Sequence, residues 1–350
     1  MLKDGGPGFC QFAITDACNA TCNFCNFRVG ENPDQKRIYV TLDEAKAAQE
    51  IMARNGVRYM AYIGGEPTMH PNLAQIIAHA NSLKMQTIIC TNGSLLGEAR
   101  ISEYVRSGLD SAIISVDAPS VEMHEQNRGV DGLCARIARA NLEFHNAGVD
   151  TTASVTLSKL LGDLSDLPEF LESLNFHQAT FSYPLKTLGS SFRSFSDSNL
   201  VDYADHELVE AFERVINMKR RFRVVNPTAS IREMQRFVRG EKQNFPCLAG
   251  LKYFYLDWNL DVYRCHAWSK PMCSIYDFDS SKLVRDGCTK CMIDCYRDAS
   301  VLHEVGMALY DARRSLLCGR PDRALCRLLN ANTYQAAKSV VEELKWIRGL

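Results

Sequence analysis

The chain has 350 residues, 46% of them hydrophobic and 23% charged, a composition that can bury a full core and is neither disordered nor fibrous. Its formal net charge of -1 supplies no long-range field for nucleic acid or an anionic membrane, so any partner has to be recognised locally. No apolar run reaches the roughly 18 residues needed to cross a bilayer, and the polar, glycine-rich start is unlike a signal peptide, so the expected location is cytoplasmic.

The first half alternates β-rich runs with helix-like segments, the pattern of a parallel α/β domain. Strands are predicted at 11–15, 59–63, 87–91, 111–116, 152–157 and 179–183. Between the first two, Thr41 and Glu44 form a capping box, Ala45, Ala48, Ile51 and Met52 recur at helical spacing, and Asn55-Gly56 stops the helix. Six such units in about 180 residues predict a partial (β/α)6 barrel, because the closed eight-unit barrel typically takes about 250. Ligands then belong at the carboxyl ends of the strands. The serine-rich stretch 188–199 has no period and reads as a solvated connection whose tip could also close over a substrate. Helices are expected around 205–221 and 231–240, and again over 300–350 with an interruption at 319–321. The chain divides into a barrel at 1–225, a small cysteine-rich unit at 226–298 and a helical segment at 299–350.

Fourteen cysteines in a chain of this size point to metal ligation, since a reducing compartment would not keep them as disulfides. Cys10, Cys90, Cys134, Cys318 and Cys326 are scattered and read as small buried hydrophobes. Cys18, Cys22 and Cys25 follow the first strand directly, with Phe24 before the last of them. A 4Fe-4S cluster normally takes four thiolates, so three leave one iron open to an outside ligand. Structural zinc wants a closed set of four, and no fourth cysteine or histidine lies nearby. Further motifs end the next strands. Gly64-Gly65-Glu66-Pro67 ends the second, its glycines permitting close backbone approach and Glu66 offering an acceptor for an ammonium. Thr91-Asn92-Gly93 ends the third and Ser115-Val116-Asp117 the fourth. Each alone is commonly turn chemistry.

Together these motifs, over roughly residues 9 to 185, resemble the radical S-adenosylmethionine (radical SAM) superfamily. The resemblance implies a 4Fe-4S cluster on Cys18, Cys22 and Cys25, with S-adenosylmethionine (AdoMet) at the open iron through its amino and carboxylate groups. It also implies one-electron cleavage to methionine and a 5′-deoxyadenosyl radical, with electrons from a partner such as flavodoxin or ferredoxin. The implied cofactor-binding residues are Phe24, Gly64, Gly65, Glu66, Asn92, Ser115, Asp117 and Arg128. Gly64 to Glu66 match the element for the methionine amino group, and Asn92, Ser115 and Asp117 the ribose and carboxylate positions. Arg128, in a segment reading HEQNRG, would pair with the methionine carboxylate unless it forms a structural salt bridge, and Arg136 competes for that role.

The second cysteine group begins with Cys247 and Cys265, which flank a β-rich stretch at 253–264 readable as a hairpin with Trp258-Asn259 near its turn. Cys288, Cys291 and Cys295 follow. Cys247, Cys265, Cys288 and Cys291 can close a cluster, with Cys295 as an alternative ligand and Cys273 as a weaker one; a zinc ribbon would use a C-x2-C pair equally well. The arrangement resembles the twitch and SPASM auxiliary-cluster domains of the same superfamily. Leu260 stands where that family usually has a turn glycine, and the full seven-cysteine pattern is not met, so the resemblance implies one auxiliary 4Fe-4S cluster that exchanges electrons with a substrate radical.

The function expected first is hydrogen abstraction from a small metabolite of natural-product, sugar or nucleoside type. A peptide maturase acting on a ribosomal peptide is the alternative, with leader recognition left to a separate protein because the chain starts close to the cluster loop. Two further readings are adenosyl transfer to an isoprenoid lipid, from a short likeness at 291–295, and a non-catalytic iron-sulfur or zinc protein. The last would bind a partner through its C-terminal helices, where Arg313, Arg314, Arg320, Arg323 and Arg327 could form a basic face, although a solvated helix surface is the simpler account.

Overall fold

A computed structural model of the protein describes residues 7–28 and 37–344. Six parallel strands occupy the predicted places: β1 (Phe9–Thr15), β2 (Tyr59–Gly64), β3 (Gln86–Thr91), β4 (Ser111–Ser115), β5 (Asp150–Thr156) and β6 (Gln178–Ser182). The helices α1 (Leu42–Arg54), α2 (Leu73–Ser82), α3 (Glu98–Arg106), α4 (Val121–Arg128), α5 (Leu133–Asn146) and α6 (Leu167–Ser173) connect them in turn. The central strands β1 and β2 are nearly continuous buried runs, all but the first residue of β1 being buried, while β3, β4 and β6 alternate buried and partly buried residues. The capping box forms, with Thr41 Oγ1 accepting from the Glu44 amide while Glu44 accepts from the Thr41 amide. Asn55 ends α1, and Gly56 takes the left-handed conformation beyond it. The one polar side chain that α1 buries, Gln49, is satisfied by Tyr62 Oη at 2.7 Å and the Ile76 carbonyl at 2.9 Å.

The sheet does not stop at β6. β7 (Arg223–Val224), between α7 (Asp205–Met218) and α8 (Thr228–Val238), extends one edge. At the other, β8 (Tyr253–Leu256) lies parallel to β1, with Gln11 opposite Tyr255, and carries β9 (Asp261–Tyr263) and β10 (Cys273–Ser274) outward. The order is β10-β9-β8-β1-β2-β3-β4-β5-β6-β7. The expected hairpin exists, but it joins the barrel sheet rather than standing apart, because the wholly buried Tyr-Phe-Tyr-Leu of β8 finds its cover there. Its turn puts Leu260 at φ +64°, the conformation a glycine adopts freely and leucine does not.

The chain closes with α9 (Asp294–Leu317), α10 (Pro321–Leu328) and α11 (Ala331–Leu344). Asp294 at the start of α9 accepts from the Tyr183 amide at 3.0 Å, which seats this helix against the end of β6. Cys10 and Cys134 are buried as expected, whereas Cys318 and Cys326 are exposed, since the turn from α9 into α10 projects from the core. Among the described residues no helix is long and apolar enough to cross a membrane.

Candidate functional site

The carboxyl end of β1 leads straight into the loop that carries Cys18, Cys22 and Cys25, and each neighbouring strand end grips that loop. The Gly65 amide donates to the Thr15 carbonyl at 3.1 Å and the Glu66 amide to the Ala17 carbonyl at 2.6 Å. This approach needs glycine: a Cβ on Gly64 would lie 2.1 Å from the Thr15 oxygen, and one on Gly65 2.1 Å from the Ala17 oxygen. Asn92 Nδ2 donates to Asn19 Oδ1 at 2.9 Å, and Asn19 donates to Ser94 Oγ at 2.9 Å, which ties the loop to the end of β3. From α4, the Arg128 carbonyl accepts from the Thr21 amide at 3.0 Å and Asn127 Oδ1 from the Asn23 amide at 3.3 Å.

The charged residues at this rim are already engaged with one another. Glu66 Oε1 accepts from the Thr68 amide at 3.0 Å, Thr68 Oγ1 at 2.5 Å and Thr91 Oγ1 at 2.6 Å, and Oε2 accepts from the Asn92 amide at 2.6 Å. Burial pushes its pKa up against the pull of these donors. Glu66 therefore braces the end of β2 against that of β3, with one lone-pair direction on Oε2 left over. Arg128 donates from Nε and a terminal nitrogen to the two oxygens of Asp117, both at 2.5 Å, and Asn127 adds a third bond to Asp117 at 2.8 Å. Burial alone would raise the Asp117 pKa, but the guanidinium outweighs it and holds the carboxyl low. Of the two roles open to Arg128, the salt bridge is the one formed. Arg136, half-buried in the first turn of α5, makes no ion pair among the described residues. Ser115 is half-buried at the end of β4, and Phe24 is buried within the loop.

Burial drives the thiols upward, Cys18 to about 11 and Cys22 to about 12, and Cys25 in the same direction, with the Arg128 guanidinium opposing the rise at all three. Cys25 also raises Cys18 and Cys22, and Cys18 raises Cys22. A fixed guanidinium beside three cysteines suits an anionic cluster whose ligands must be thiolates.

The second group surrounds a cavity of about 350 Å³ lined by Cys247, Cys265, Cys288 and Cys291, with Arg264, Lys290, Trp268 and Tyr296 completing the wall. The Cys247 amide donates to the Cys288 carbonyl at 2.8 Å, which joins the two halves of the ligand set. Arg264 is fixed by two 2.6 Å bonds to Asp286, and its guanidinium lies 5.1 Å from the Trp268 ring centroid. Neither Cys295 nor Cys273 lines the cavity; Cys295 lies beside Gln11 in the barrel, and Cys273 pairs with Val262 on the outer strand. Among the described residues no three histidine, cysteine or acidic side chains converge closely enough to bind a single ion. Four cysteines around one cavity can supply the thiolates of a cubane, in which each takes a different iron, or of a closed zinc site.

The serine-rich stretch departs from the solvated connection expected of it. The Arg193 carbonyl accepts from the Asn26 amide at 2.9 Å, beside Cys25, while the Gly189 and Ser190 amides donate to the His266 carbonyl at 3.2 and 3.0 Å, beside Cys265. Its polar backbone is satisfied by both cysteine loops, so the segment straps one to the other. Phe192 stacks on His266 with centroids 4.2 Å apart and meets Phe27 edge-on at 5.5 Å. Beneath it, Gln11 Oε1, His266 Nε2 and Tyr296 Oη are buried without a hydrogen-bond partner. The His266 ring lies 4.6 Å from that of Tyr255 and 5.3 Å from that of Tyr296. Sequence reading missed Arg193, Phe192 and His266; the one available signal was the position of His266 next to a ligand-type cysteine.

A parallel partial barrel with a three-cysteine loop at its carboxyl rim defines a class, and comparison with known proteins agrees. Residues 12–173 match the family model of the Radical SAM superfamily, a superfamily of enzymes. It is similar to the AdoMet-dependent heme synthase of Oleidesulfovibrio alaskensis, 27% identical over 160 residues, which are 45% of this chain and 41% of that protein. The PqqA peptide cyclase of Granulibacter bethesdensis is 28% identical over 170 residues, 48% of this chain and 44% of that protein. The chain thus matches less than half the length of these curated relatives. The structure of native anSMEcpe with bound AdoMet and Cp18Cys peptide has the same fold, with a TM-score of 0.58 at 14% identity over 96% of each chain. The match implies a 4Fe-4S cluster and AdoMet, which when bound together would supply a 5′-deoxyadenosyl radical.

Proposed function

We propose that Cys18, Cys22 and Cys25 hold the radical-generating cluster, that Cys247, Cys265, Cys288 and Cys291 hold a second 4Fe-4S cluster, and that the enzyme abstracts hydrogen from a peptide. The observation that carries the proposal is the cavity of about 350 Å³ faced by four thiols, at the far end of a strap from the three-cysteine loop. Cys295 does not line that cavity, which supports the four other cysteines as the ligand set. A fully thiolate-ligated second cluster has no open iron for substrate, so its role is electron transfer.

In this reading the chain's own residues position and exclude. Gly64 and Gly65 let the cysteine loop sit on the end of β2, and Glu66 braces it while offering its remaining Oε2 lone pair to the AdoMet ammonium. Asn92 holds the loop, Ser115 offers a hydroxyl to the ribose, and Arg128 with Asp117 fixes a cation beside the thiolates. The methionine carboxylate falls to Arg136, which lies in the first turn of α5 and makes no ion pair among the described residues. Substrate occupies the region between the two cysteine groups, where Gln11, His266 and Tyr296 present unpaired polar atoms under Phe192. Lifting the strap admits it, and reclosure keeps water from the radical. Electrons arrive from a protein of flavodoxin or ferredoxin type.

A peptide substrate is favoured over the small metabolite expected first because a sequence relative is named for a peptide and a full-length structural counterpart carries one. The heme synthase relative keeps a small molecule as the second reading. The reduced, anaerobic enzyme should therefore form 5′-deoxyadenosine faster when given a peptide fraction of the source cell, and protease treatment of that fraction should abolish the gain. Acceleration by the protease-treated or small-metabolite fraction instead would reject the peptide.

A further inference from the structure

The hairpin of α9 and α10 presents a surface that the enzyme chemistry does not use. Of the fifteen exposed large hydrophobic residues among those described, eight lie on α9, α10 and α11 and a ninth, Leu329, caps α10. Single exposed leucines need no explanation, but here Leu309, Leu316, Leu317, Leu325, Leu328 and Leu329 crowd one turn of chain, with Leu317 78% and Leu329 75% exposed. Leu309 and Leu316 are two helical turns apart on α9, and Leu325 lies one turn from Leu328 and Leu329 on α10, so each helix shows an apolar stripe. Arg327 pairs with Glu304 and Asp311, which holds the two antiparallel helices together and removes it from the basic face expected from sequence. Arg313, Arg314, Arg320 and Arg323 are exposed and make no ion pair among the described residues, and Asp322 is the only acid in the sequence between 312 and 329.

We propose that this tip docks on the surface of an anionic lipid bilayer, its leucines entering the boundary between headgroups and acyl chains and its four arginines meeting lipid phosphates. The charge pattern selects the occupant. A second copy bound face to face would bring these arginines near their own counterparts, at a cost in like-charge repulsion. Leucine is under-represented among the residues that anchor protein partners, whereas exposed aliphatic side chains ringed by arginine are what an interfacial helix carries. The tip lies outside both cysteine groups, so the inference does not depend on the substrate proposed above.

Flotation of the full-length, cluster-loaded protein with vesicles tests it. The protein should float with vesicles containing phosphatidylglycerol and stay behind with pure phosphatidylcholine, and salt should weaken the binding. Arg313→Glu, Arg314→Glu, Arg320→Glu and Arg323→Glu together should reduce partitioning on the order of a hundredfold or more. The Leu316→Ser, Leu317→Ser, Leu325→Ser and Leu329→Ser variant should also stay behind at unchanged iron content, because these side chains are already in solvent. Failure of the parent to float, equal binding to both vesicle types, or a dimer that does not float and is lost in the leucine variant would each overturn the proposal.

Discussion

Replacing Glu66 by glutamine keeps the side chain's volume and separates two accounts of this residue. If Glu66 served only as an acceptor for the AdoMet ammonium, Glu66→Gln would weaken AdoMet binding and leave the apoprotein untouched. In the structure its four acceptor bonds already join Thr68, Thr91 and Asn92. An amide group can keep its oxygen toward Thr68 and Thr91, but its nitrogen then faces the Asn92 N–H, donor against donor. One buried N–H left unpaired costs about 1–3 kcal/mol, and loss of charge assistance in the remaining bonds adds roughly another 1 kcal/mol. Relief of carboxylate burial offsets part of this, leaving a net loss of about 2–3 kcal/mol, a large share of a typical 5–15 kcal/mol stability. Asn92 also holds Asn19, so the cysteine loop loosens as well. Urea unfolding of the apoprotein should show a lower midpoint at unchanged slope. An unchanged midpoint with weakened AdoMet binding would refute the bracing role.

Three further outcomes follow from particular contacts. Gly65→Ala forces a Cβ to within 2.1 Å of the Ala17 carbonyl oxygen, so the cysteine loop must move; reconstituted protein should lose the iron held there while keeping that of the second group, and full iron content would contradict the close approach. Asp298 on α9 is half-buried, with Asn226 Nδ2 at 2.6 Å and Asp294 nearby, and desolvation and the Asp294 charge raise its pKa from 3.8 to about 8. The folded protein thus keeps a proton that the unfolded chain releases above about pH 4, so this group's contribution to stability falls as pH rises toward about 8; Asp298→Asn should flatten that decline in thermal melts of the apoprotein, and parallel pH profiles would count against it. At Leu260, glycine would relieve about 1–2 kcal/mol of left-handed strain but remove a buried side chain worth about 2–5 kcal/mol, so Leu260→Gly should destabilise the hairpin by about 1–3 kcal/mol. A raised melting temperature would mean that the strain outweighs the packing.

The features that sequence exposes are those written over short spans. β1 to β6 are short β-rich runs bounded by turn residues, α1 announces itself through Thr41, Glu44 and Gly56, and the three-cysteine loop lies within eight residues. What was hidden depends on contacts between distant segments. β8 pairs with β1 from more than 240 residues away, and nothing in its apolar run specifies a parallel partner. Five thiols in the second group had suitable spacing, and only the cavity sorts Cys295 from the four that face it. For Arg128, two roles fitted one sequence; the bidentate geometry with Asp117 distinguishes them. The strap at 188–199 has no periodic signal because its serines and glycine bind backbone groups of other loops rather than a core face.

The most direct measurement is iron per chain after anaerobic reconstitution of the parent and of two cysteine variants, together with 5′-deoxyadenosine formation. The parent should hold about eight irons, two clusters of four. Cys247→Ala with Cys265→Ala should retain about four and still cleave AdoMet without coupling to substrate, while replacement of Cys18, Cys22 and Cys25 should retain the other four and form no 5′-deoxyadenosine. A parent holding about four irons with zinc in the second group, or a triple variant that still forms 5′-deoxyadenosine, would contradict the assignment of the two centres.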